Sequence, residues 1–298
     1  MWVRHFRRAS IAVAALYIAV LASICSWIFA YVKQPPVVRT RLQDVASPPR
    51  VEPPPDKPNF APIVVKPKAV PQGIHLDVRH FATYNAYVLT VADPRLISIV
   101  ATKYMGDVGE TVEQFVDDHH AVAGINGGSF TDTNWQGTGG QVQGIVISDG
   151  KIISSAVRPE SVIGFTAAGK LISGTYTLAQ LKSMNVTQAL MFGPTLVQNG
   201  VGQIQGAGDW GYAPRTAIGQ RADGTVIMIV TDGRELTGPN DIGASLGDME
   251  HLMLAYGAVT AANLDGGSSA TMVFDGKLVN QPTDILGERS VGTALIVR

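Results

Sequence analysis

The chain has 298 residues, and its 23 Lys and Arg residues against 24 Asp and Glu residues give a formal net charge of −1. This near-neutral balance lacks the basic patch that nucleic-acid binding usually requires, so we expect no nucleic-acid partner. The single cysteine, Cys25, excludes an intramolecular disulfide, and no Cys or His cluster has zinc-ligand spacing.

The first 32 residues are predicted to be a membrane segment. Arg4, Arg7 and Arg8 precede an apolar run at 9–32, which as a helix of about 36 Å is long enough to cross a hydrocarbon core of about 30 Å. The basic flank predicts a cytoplasmic N-terminus and an extracytoplasmic C-terminal domain. The alternative is a signal peptide, whose cleavage would release a secreted protein.

Residues 33–73 are predicted to form a linker. This stretch holds most of the 17 prolines and shows little apolar periodicity. Such a composition buries too little apolar surface to fold and favours extended, semi-rigid conformations. The folded domain is therefore expected at residues 74–298.

The folded domain is predicted to contain many strands and a few helices. Asp-Gly pairs at 149–150, 223–224 and 275–276 lie between β-rich flanks, which is a strong hairpin signal. We expect an α+β fold, with a mixed, largely antiparallel β-sheet and a few packing helices in a single large domain. The predicted strands include 86–91, 96–101, 143–148, 162–166, 225–230, 258–264, 271–274 and 293–297, and the helical patterns lie at 110–119, 178–184 and 245–256.

One polar turn near the C-terminus has the clearest chemical character. The apolar strand at 258–264 is followed by Asp265, Gly266 and Gly267, and then by Ser268. Glycines allow a close approach of the backbone to a ligand, and successive N–H groups in such a turn are able to bind an anion. A carboxylate beside such a turn is a candidate catalytic group, although a tight turn capped by Asp has the same pattern.

A second turn of similar pattern lies about 140 residues earlier. There an apolar run ends in Asn126, Gly127 and Gly128. A helical pattern precedes each of the two apolar runs, which is consistent with an internal duplication or with chance similarity. If the two turns meet in space, they are expected to form one site.

The motifs around these turns resemble those of the phosphodiester glycosidase family over about residues 75–298. The matching pieces occur in family order: Ile-Asn-Gly-Gly at 125–128, Pro-Arg-Thr-Ala-Ile-Gly at 214–219, Thr-Asp-Gly-Arg at 231–234, Asn-Leu-Asp-Gly-Gly-Ser-Ser at 263–269 and Glu-Arg-Ser-Val at 288–291. The resemblance implies a hydrolase that cleaves the glycosidic bond of a sugar-1-phosphodiester, for example N-acetylglucosamine-1-phosphodiester, in envelope or extracellular glycans.

Such a reaction needs carboxylates at the sugar and cations or hydrogen-bond donors at the phosphate. The catalytic candidates are Asp265, as nucleophile or general base, with Asp232 and Glu288 as further carboxylates. Arginine forks bind phosphate bidentately. The substrate-binding candidates are Arg215, Arg234, Arg289, Asn126, Gly127, Gly128, Gly266, Gly267 and Ser268.

Aromatic residues in glycine-rich loops are candidates for sugar stacking. Trp135 lies in one such loop, and Trp210 and Tyr212 lie in or beside another. Partial burial in the core is the alternative interpretation of these side chains.

Two other functions stay open on the sequence alone. The first is a hydrolase that cleaves the P–O bond of the same substrate, and the second is a non-catalytic envelope protein that binds polysaccharide. No cofactor is required by any ligand spacing, but two carboxylate-bearing turns are able to hold Ca²⁺.

Overall fold

The computed structural model describes residues 72–132, 137–234, 238, 240–284 and 287–298. The predicted membrane segment at 1–32, nearly all of the linker at 33–73, and Trp135 lie outside the described residues, so these interpretations stay predictions. Among the described residues, no helix combines the length and the apolar character that crossing a membrane requires.

The strands of the described residues form three sheets, and every strand pair within them is antiparallel. The seven-stranded sheet has the order β1 (Ile74–His80), β2 (Asn85–Val91), β13 (Val226–Thr231), β12 (Thr216–Arg221), β14 (Ala258–Leu264), β10 (Thr195–Gln198) and β11 (Val201–Gly202). A five-stranded sheet has the order β16 (Lys277–Leu278), β15 (Met272–Phe274), β4 (Ala123–Asn126), β17 (Thr293–Val297) and β3 (Ile97–Ala101). The other five-stranded sheet has the order β6 (Lys151–Ser154), β5 (Val146–Ser148), β9 (Val186–Met191), β7 (Glu160–Thr166) and β8 (Leu171–Tyr176).

The three α-helices of the described residues begin with the same local device. Helix α1 (Val112–Asp118), α2 (Leu178–Ser183) and α3 (Leu246–Ala255) each follow a Ser or Thr that accepts a hydrogen bond from the N3 backbone. The N3 side chain in turn accepts a hydrogen bond from the N-cap backbone, which completes a capping box. These boxes satisfy N–H groups that the first helical turn leaves unpaired, and therefore define where the helices start.

A central core joins the three sheets, and each sheet carries one helix on its other face. Leu89, Ile125 and Ile163 represent the three sheets within the central cluster. Separate clusters pack α3 on the seven-stranded sheet, α1 on the sheet of β4, and α2 on the sheet of β9. The α+β fold class is confirmed, although the strands are divided among three sheets rather than one.

The three predicted Asp-Gly hairpins are present. Ser148 pairs with Lys151 and Phe274 pairs with Lys277, and in both turns the Asp and the Gly have positive φ, as the favoured two-residue hairpin turn requires. The hairpin at 223–224 joins β12 to β13. Asn199 and Gly200 have the same conformation between β10 and β11, a hairpin that our sequence prediction did not include.

Candidate active site

The two glycine turns meet at the junction of two sheets. Strand β4 ends at Asn126 and strand β14 ends at Leu264, immediately before Asp265. The Asn126 side-chain Nδ2 donates to the Asp265 carbonyl oxygen at 2.6 Å, and the Asp265 backbone N–H donates to the Gly127 carbonyl at 3.2 Å. Two turns about 140 residues apart are therefore tied directly to each other.

The first turn is buried and forms part of the framework. Asn126 is completely buried, and its Oδ1 accepts from the Thr216 hydroxyl at 2.7 Å and from the Thr271 N–H at 3.1 Å. A Cβ on Gly127 would lie 2.8 Å from the Thr293 carbonyl oxygen, so glycine is needed for this close packing. Gly128 is likewise buried, and its N–H donates to the Thr293 hydroxyl at 2.9 Å.

The second turn lines a cleft of about 120 Å³. Charged groups of both signs and several hydroxyls converge there, together with the ring of one phenylalanine. The lining residues are Ser129, Phe130, Asp132, Arg234, Asp265, Gly266, Gly267, Ser268, Ser269 and Arg289.

Asp265 is a carboxyl group of the cleft whose pKa is shifted far from its ordinary value. Burial raises its pKa to about 6, while the nearby Ser269 hydroxyl, the hydrogen bond from the Gly266 backbone and the charge of Arg289 oppose this shift. The Gly266 N–H donates to Asp265 Oδ1 at 3.0 Å. A carboxyl group whose pKa lies near neutrality, in a cleft and beside arginines, is suited to proton transfer or nucleophilic attack.

The second carboxylate of the cleft is Asp132. Its Oδ2 forms an ion pair of 2.7 Å with Arg289 Nη2, and its Oδ1 accepts from the Gly137 N–H at 2.7 Å. Burial would raise the pKa of Asp132, but these hydrogen bonds and the Arg289 charge outweigh burial and lower it. Among the described residues that line it, the cleft therefore holds two carboxyl groups whose pKa values are shifted in opposite directions, which is a pattern typical of acid–base pairs.

Arg289 is held on two sides within the cleft. Besides its ion pair with Asp132, its guanidinium carbon lies 5.0 Å from the centre of the Phe130 ring, which is within cation–π distance. The side chain is only 13% exposed. Arg289 therefore presents a positionally fixed positive charge to the cleft.

Arg234 supplies a second positive charge, and it is exposed. Its Nη1 donates to the Ser268 hydroxyl at 2.7 Å and to the Thr283 hydroxyl at 3.1 Å. Its own backbone has φ of 60°, an unusual conformation for a residue with a side chain. These side-chain hydrogen bonds are thus with neutral hydroxyls, which orient the guanidinium without neutralising its charge.

The backbone of the second turn is mostly used within the protein. The Gly266 N–H is bonded to the Asp265 carboxyl group, and the Gly267 N–H donates to the Pro214 carbonyl at 2.8 Å. The expected anion site made of glycine N–H groups is therefore replaced by guanidinium and hydroxyl groups, those of Arg234 and Ser268 among them.

Asp232 lies outside the cleft lining. It is completely buried, and its Oδ2 accepts from the Tyr87 hydroxyl at 2.8 Å and from Asn85 Nδ2 at 3.3 Å. Its Oδ1 accepts from the Gln281 N–H at 3.0 Å. Asp232 thus connects strand β2 to the segment that carries Thr283, which orients Arg234.

Glu288 also lies outside the cleft lining. Its Oε1 accepts from the backbone N–H groups of Val112 and Glu113, the latter at 3.2 Å, at the start of helix α1. Burial raises the pKa of Glu288 to about 7, against the lowering effect of these two hydrogen bonds. This carboxyl group caps a helix and precedes Arg289 in the chain, rather than facing the cleft.

Arg215 is buried behind the second turn. Its Nε donates to the Ala244 carbonyl at 3.1 Å, and its Nη2 donates to the carbonyls of Trp210 and Gly211 at 3.0 and 2.7 Å. Burial, and then the charge of Arg234, lower the pKa of Arg215. The structure places this guanidinium in the support of a loop and not in the cleft lining.

The sequence-predicted residues that line the cleft are Asp265, Gly266, Gly267, Ser268, Arg234 and Arg289. Asp132 was missed because it follows the first turn by four residues and belongs to no motif; only its position beside Arg289 distinguishes it. The described residues contain no group of three or more His, Cys, Asp and Glu side chains placed to hold a metal ion.

The sequence model of the phosphodiester glycosidase family matches residues 119–298, which is more than half of the chain. The chain belongs to the phosphodiester glycosidase family. The matched region includes every residue that lines the cleft.

Several named proteins are similar to this phosphodiester glycosidase family member. It is 29% identical over 212 residues to the SPbeta prophage-derived uncharacterized protein YomE of Bacillus subtilis, covering 66% of this chain and 31% of that protein. It is 27% identical over 240 residues to the mouse N-acetylglucosamine-1-phosphodiester alpha-N-acetylglucosaminidase, covering 70% of this chain and 45% of that protein. The chain therefore spans less than half the length of these relatives.

Solved structures share the fold. The catalytic domain of the zebrafish N-acetylglucosamine-1-phosphodiester alpha-N-acetylglucosaminidase, auto-inhibited by its pro-peptide, matches with a TM-score of 0.62 and 21% identity, over 78% of this chain and 85% of that one. A hypothetical protein from Synechocystis matches with a TM-score of 0.58 and 16% identity, over 76% and 62% of the two chains.

Proposed function

We propose that this chain hydrolyses the glycosidic bond of a sugar-1-phosphodiester, releasing free sugar and a phosphomonoester. The observation that carries the proposal is the cleft in which Asp265, with its raised pKa, lies among Arg234, Arg289 and Ser268. A carboxyl group for the sugar and cations for the phosphate are the two chemical requirements of this reaction. Membership of the phosphodiester glycosidase family and the names of the mammalian relatives support the same reaction.

Arg234 is proposed to bind the phosphate. Its exposed guanidinium has its Nη1 on two neutral hydroxyls, so a phosphate oxygen on the cleft side would receive a charge-assisted hydrogen bond from an already oriented group. The Ser268 hydroxyl accepts from Arg234 and is free to donate its own proton to a second phosphate oxygen. Arg289 adds positive charge while its ion pair with Asp132 fixes its position.

Asp265 is proposed to act at the anomeric carbon. In hydrolysis, an oxygen nucleophile bonds to this carbon while its bond to the phosphate oxygen breaks, and the electron pair of that bond leaves with the phosphate. A phosphate is already stable as an anion, so protonation of the leaving group is less important than for an alkyl glycoside. We therefore assign the ionised Asp265 as nucleophile or as the base that takes a proton from water, and inversion or retention at the sugar distinguishes these two roles.

Asp132 is proposed as the second carboxylate of the site, in place of Asp232 and Glu288. Its lowered pKa keeps it ionised, and its negative charge raises the pKa of Asp265. Asp232 and Glu288 are then positioning residues, because the first supports the segment that orients Arg234 and the second caps helix α1 beside Arg289. The predicted binding roles of Asn126, Gly127, Gly128 and Arg215 are likewise reassigned to the framework that holds the cleft.

The cellular setting of the proposal follows from the N-terminal sequence. A basic flank before the apolar run at 9–32 favours an anchor that leaves the catalytic domain outside the cytoplasm. The proposed substrates are therefore phosphodiester-linked sugars of envelope or extracellular glycans. Protease accessibility of the domain in intact cells tests the location independently of the reaction.

The experiment that tests the reaction is product identification by ³¹P NMR. Purified protein is incubated with the methyl phosphodiester of N-acetylglucosamine-1-phosphate, with the Asp265→Asn variant as control. We expect free N-acetylglucosamine and methyl phosphate from the wild type only. Appearance of N-acetylglucosamine-1-phosphate and methanol would overturn the proposal in favour of a phosphodiesterase, and binding without turnover would favour a polysaccharide-binding protein.

A further inference from the structure

The loop before strand β12 carries two exposed aromatic side chains close to the cleft. Trp210 is 52% exposed and Tyr212 is 53% exposed, although large aromatic rings are usually well buried. The cleft is only about 120 Å³, whereas pockets that enclose a drug-sized ligand measure about 300–1,000 Å³. Any substrate larger than the group around the scissile bond must therefore extend onto the surface beside the cleft.

The Trp210 indole is held in place by neighbouring groups. The Arg215 guanidinium carbon lies 5.8 Å from the centre of its ring, and the Phe192 ring meets it edge to face with centroids 6.1 Å apart. The same guanidinium bonds the Trp210 and Gly211 carbonyls. One face of the indole is thus supported by a buried cation while half of the side chain stays accessible.

The loop itself is attached to helix α3. The Ile204 N–H donates to Glu250 Oε2 at 2.6 Å, and the Gly247 N–H donates to the Ala207 carbonyl at 3.2 Å. An exposed ring on a supported loop loses little conformational entropy on binding, so it is a pre-organised contact.

Backbone hydrogen bonds connect the segments that carry these aromatic residues to segments that line the cleft. Pro214, two residues after Tyr212, accepts the Gly267 N–H at 2.8 Å. Met191, which precedes Phe192, accepts the Ser129 N–H at 3.1 Å. The segments that carry Phe192, Trp210 and Tyr212 therefore contact two segments that line the cleft.

We propose that Trp210 and Tyr212 form a stacking platform for a sugar ring of the substrate that lies outside the cleft. The proposal rests on the proposed function and extends it, because it assigns longer phosphodiester-linked glycans as the preferred substrate class. The apolar C–H face of a pyranose packs on an aromatic face, while its hydroxyls stay in water. Arg215 acts as a positioning residue for this platform.

The test compares a minimal substrate with an extended one. The minimal substrate is the methyl phosphodiester of N-acetylglucosamine-1-phosphate, and the extended substrate carries a neutral oligosaccharide on each side of the phosphodiester. For Trp210→Ala we expect kcat/KM to fall about fivefold to tenfold on the extended substrate and less than twofold on the minimal one. Trp210→Phe keeps an aromatic face and is expected to restore most of the difference.

Tyr212→Ala provides a second variant that removes an exposed side chain without touching Arg215. An equal loss of kcat/KM on both substrates would show that the loop only supports the fold of the site. No loss on either substrate would show that these side chains do not bind the sugar. Both results overturn the proposal.

Binding separates a failure of the platform from a failure of the proposed reaction. In the Asp265→Asn background, calorimetry with the extended substrate is expected to show Kd rising about fivefold to tenfold on Trp210→Ala. If the wild type hydrolyses neither substrate but this Kd change is present, the platform stands and the proposed reaction fails. If hydrolysis occurs and Kd is unchanged, the platform fails alone.

Discussion

The two glycine turns have nearly the same sequence, yet their leading side chains have different environments. Asn126 is completely buried and makes three hydrogen bonds to protein groups, whereas Asp265 faces the cleft and has a pKa raised to about 6. An amide is stable in the interior when its donors and acceptors are paired, whereas a buried carboxylate destabilises the folded state unless it is paired or protonated.

This difference is the basis on which we propose that the first turn supports the site and the second turn acts in it. The first turn fixes the position of the second, because Asn126 bonds the Asp265 backbone carbonyl. The Asp265 side chain does not take part in that bond and lines the cleft. The second turn then keeps a carboxyl group in an environment that disfavours its charged form. A reactive group that destabilises the folded state is expected at functional sites and is uncommon elsewhere.

The largest expected effect is that of Asp265→Asn on activity. Removal of the carboxylate is expected to reduce kcat/KM on a sugar-1-phosphodiester by about 10²- to 10⁴-fold, since it is proposed to act directly at the anomeric carbon. Steady-state kinetics at pH 7.5 measure the loss. Turnover within threefold of wild type would remove Asp265 from the mechanism.

The matched change in the first turn, Asn126→Asp, is expected to affect stability instead. It replaces a donor that bonds the Asp265 carbonyl by a charged acceptor in a fully buried position. We expect the free energy of unfolding to fall by roughly 2–4 kcal/mol. Urea unfolding at pH 7.5 measures it, and a change below about 0.5 kcal/mol would show that the two turns are not distinct in this way.

Alanine substitutions of the glycines sharpen the same comparison. Gly127→Ala would place Cβ 2.8 Å from the backbone carbonyl of Thr293, so we expect a loss of about 2–3 kcal/mol in stability. Gly267→Ala would place Cβ 2.8 Å from Arg234 Nη2 at a φ of +59°. We therefore expect the free energy of unfolding to fall by about 1 kcal/mol and KM to rise. Parallel unfolding and kinetic measurements test this order, and its reversal would contradict the assigned roles.

The dependence of activity on pH tests the ionisation state assigned to Asp265. Because Asp265 is proposed to act in its ionised form and has a pKa of about 6, kcat/KM is expected to fall about tenfold per pH unit below pH 6 and to level off above it. A rate that instead decreases as pH rises through 6 would assign Asp265 as a general acid.

The stability of the folded protein is expected to fall as Asp265 ionises, whereas the activity is expected to rise. The folded pKa of Asp265 lies above its usual value of 3.8, so its contribution to stability is complete below pH 4 and is lost as pH rises through 6. Asp265→Asn is therefore expected to be more stable than wild type by roughly 1–3 kcal/mol at pH 8, with a smaller difference at pH 4. Urea unfolding at the two pH values measures this, and a difference that is larger at pH 4 would contradict the assigned environment.

Local signals predicted much of the fold. The Asp-Gly pairs define hairpins because only a few residue types adopt positive φ at low energy, and β14 has the predicted bounds of 258–264. The division of the strands among three sheets was not predictable in this way, because it depends on which apolar faces share the central core.

The site was predictable only where a motif carried both the chemistry and the direction of the side chain. The turn at Asp265 satisfied this condition. Asp232 did not, because a carboxylate after a strand points either toward a cleft or toward partners such as Tyr87, and the sequence does not distinguish the two. Asp132 is positioned by its ion pair with Arg289. The two residues are 157 positions apart in the chain, so no local sequence pattern predicts this contact.

The most direct test of the proposed glycosidic-bond cleavage is hydrolysis of N-acetylglucosamine-1-phosphodiester in ¹⁸O-labelled water, with mass analysis of both products. Cleavage at the anomeric carbon in the Asp265 cleft predicts that the label enters the sugar and that the phosphomonoester stays unlabelled. Label in the phosphomonoester would mean attack at phosphorus, and would contradict the central claim that this cleft cleaves the glycosidic bond.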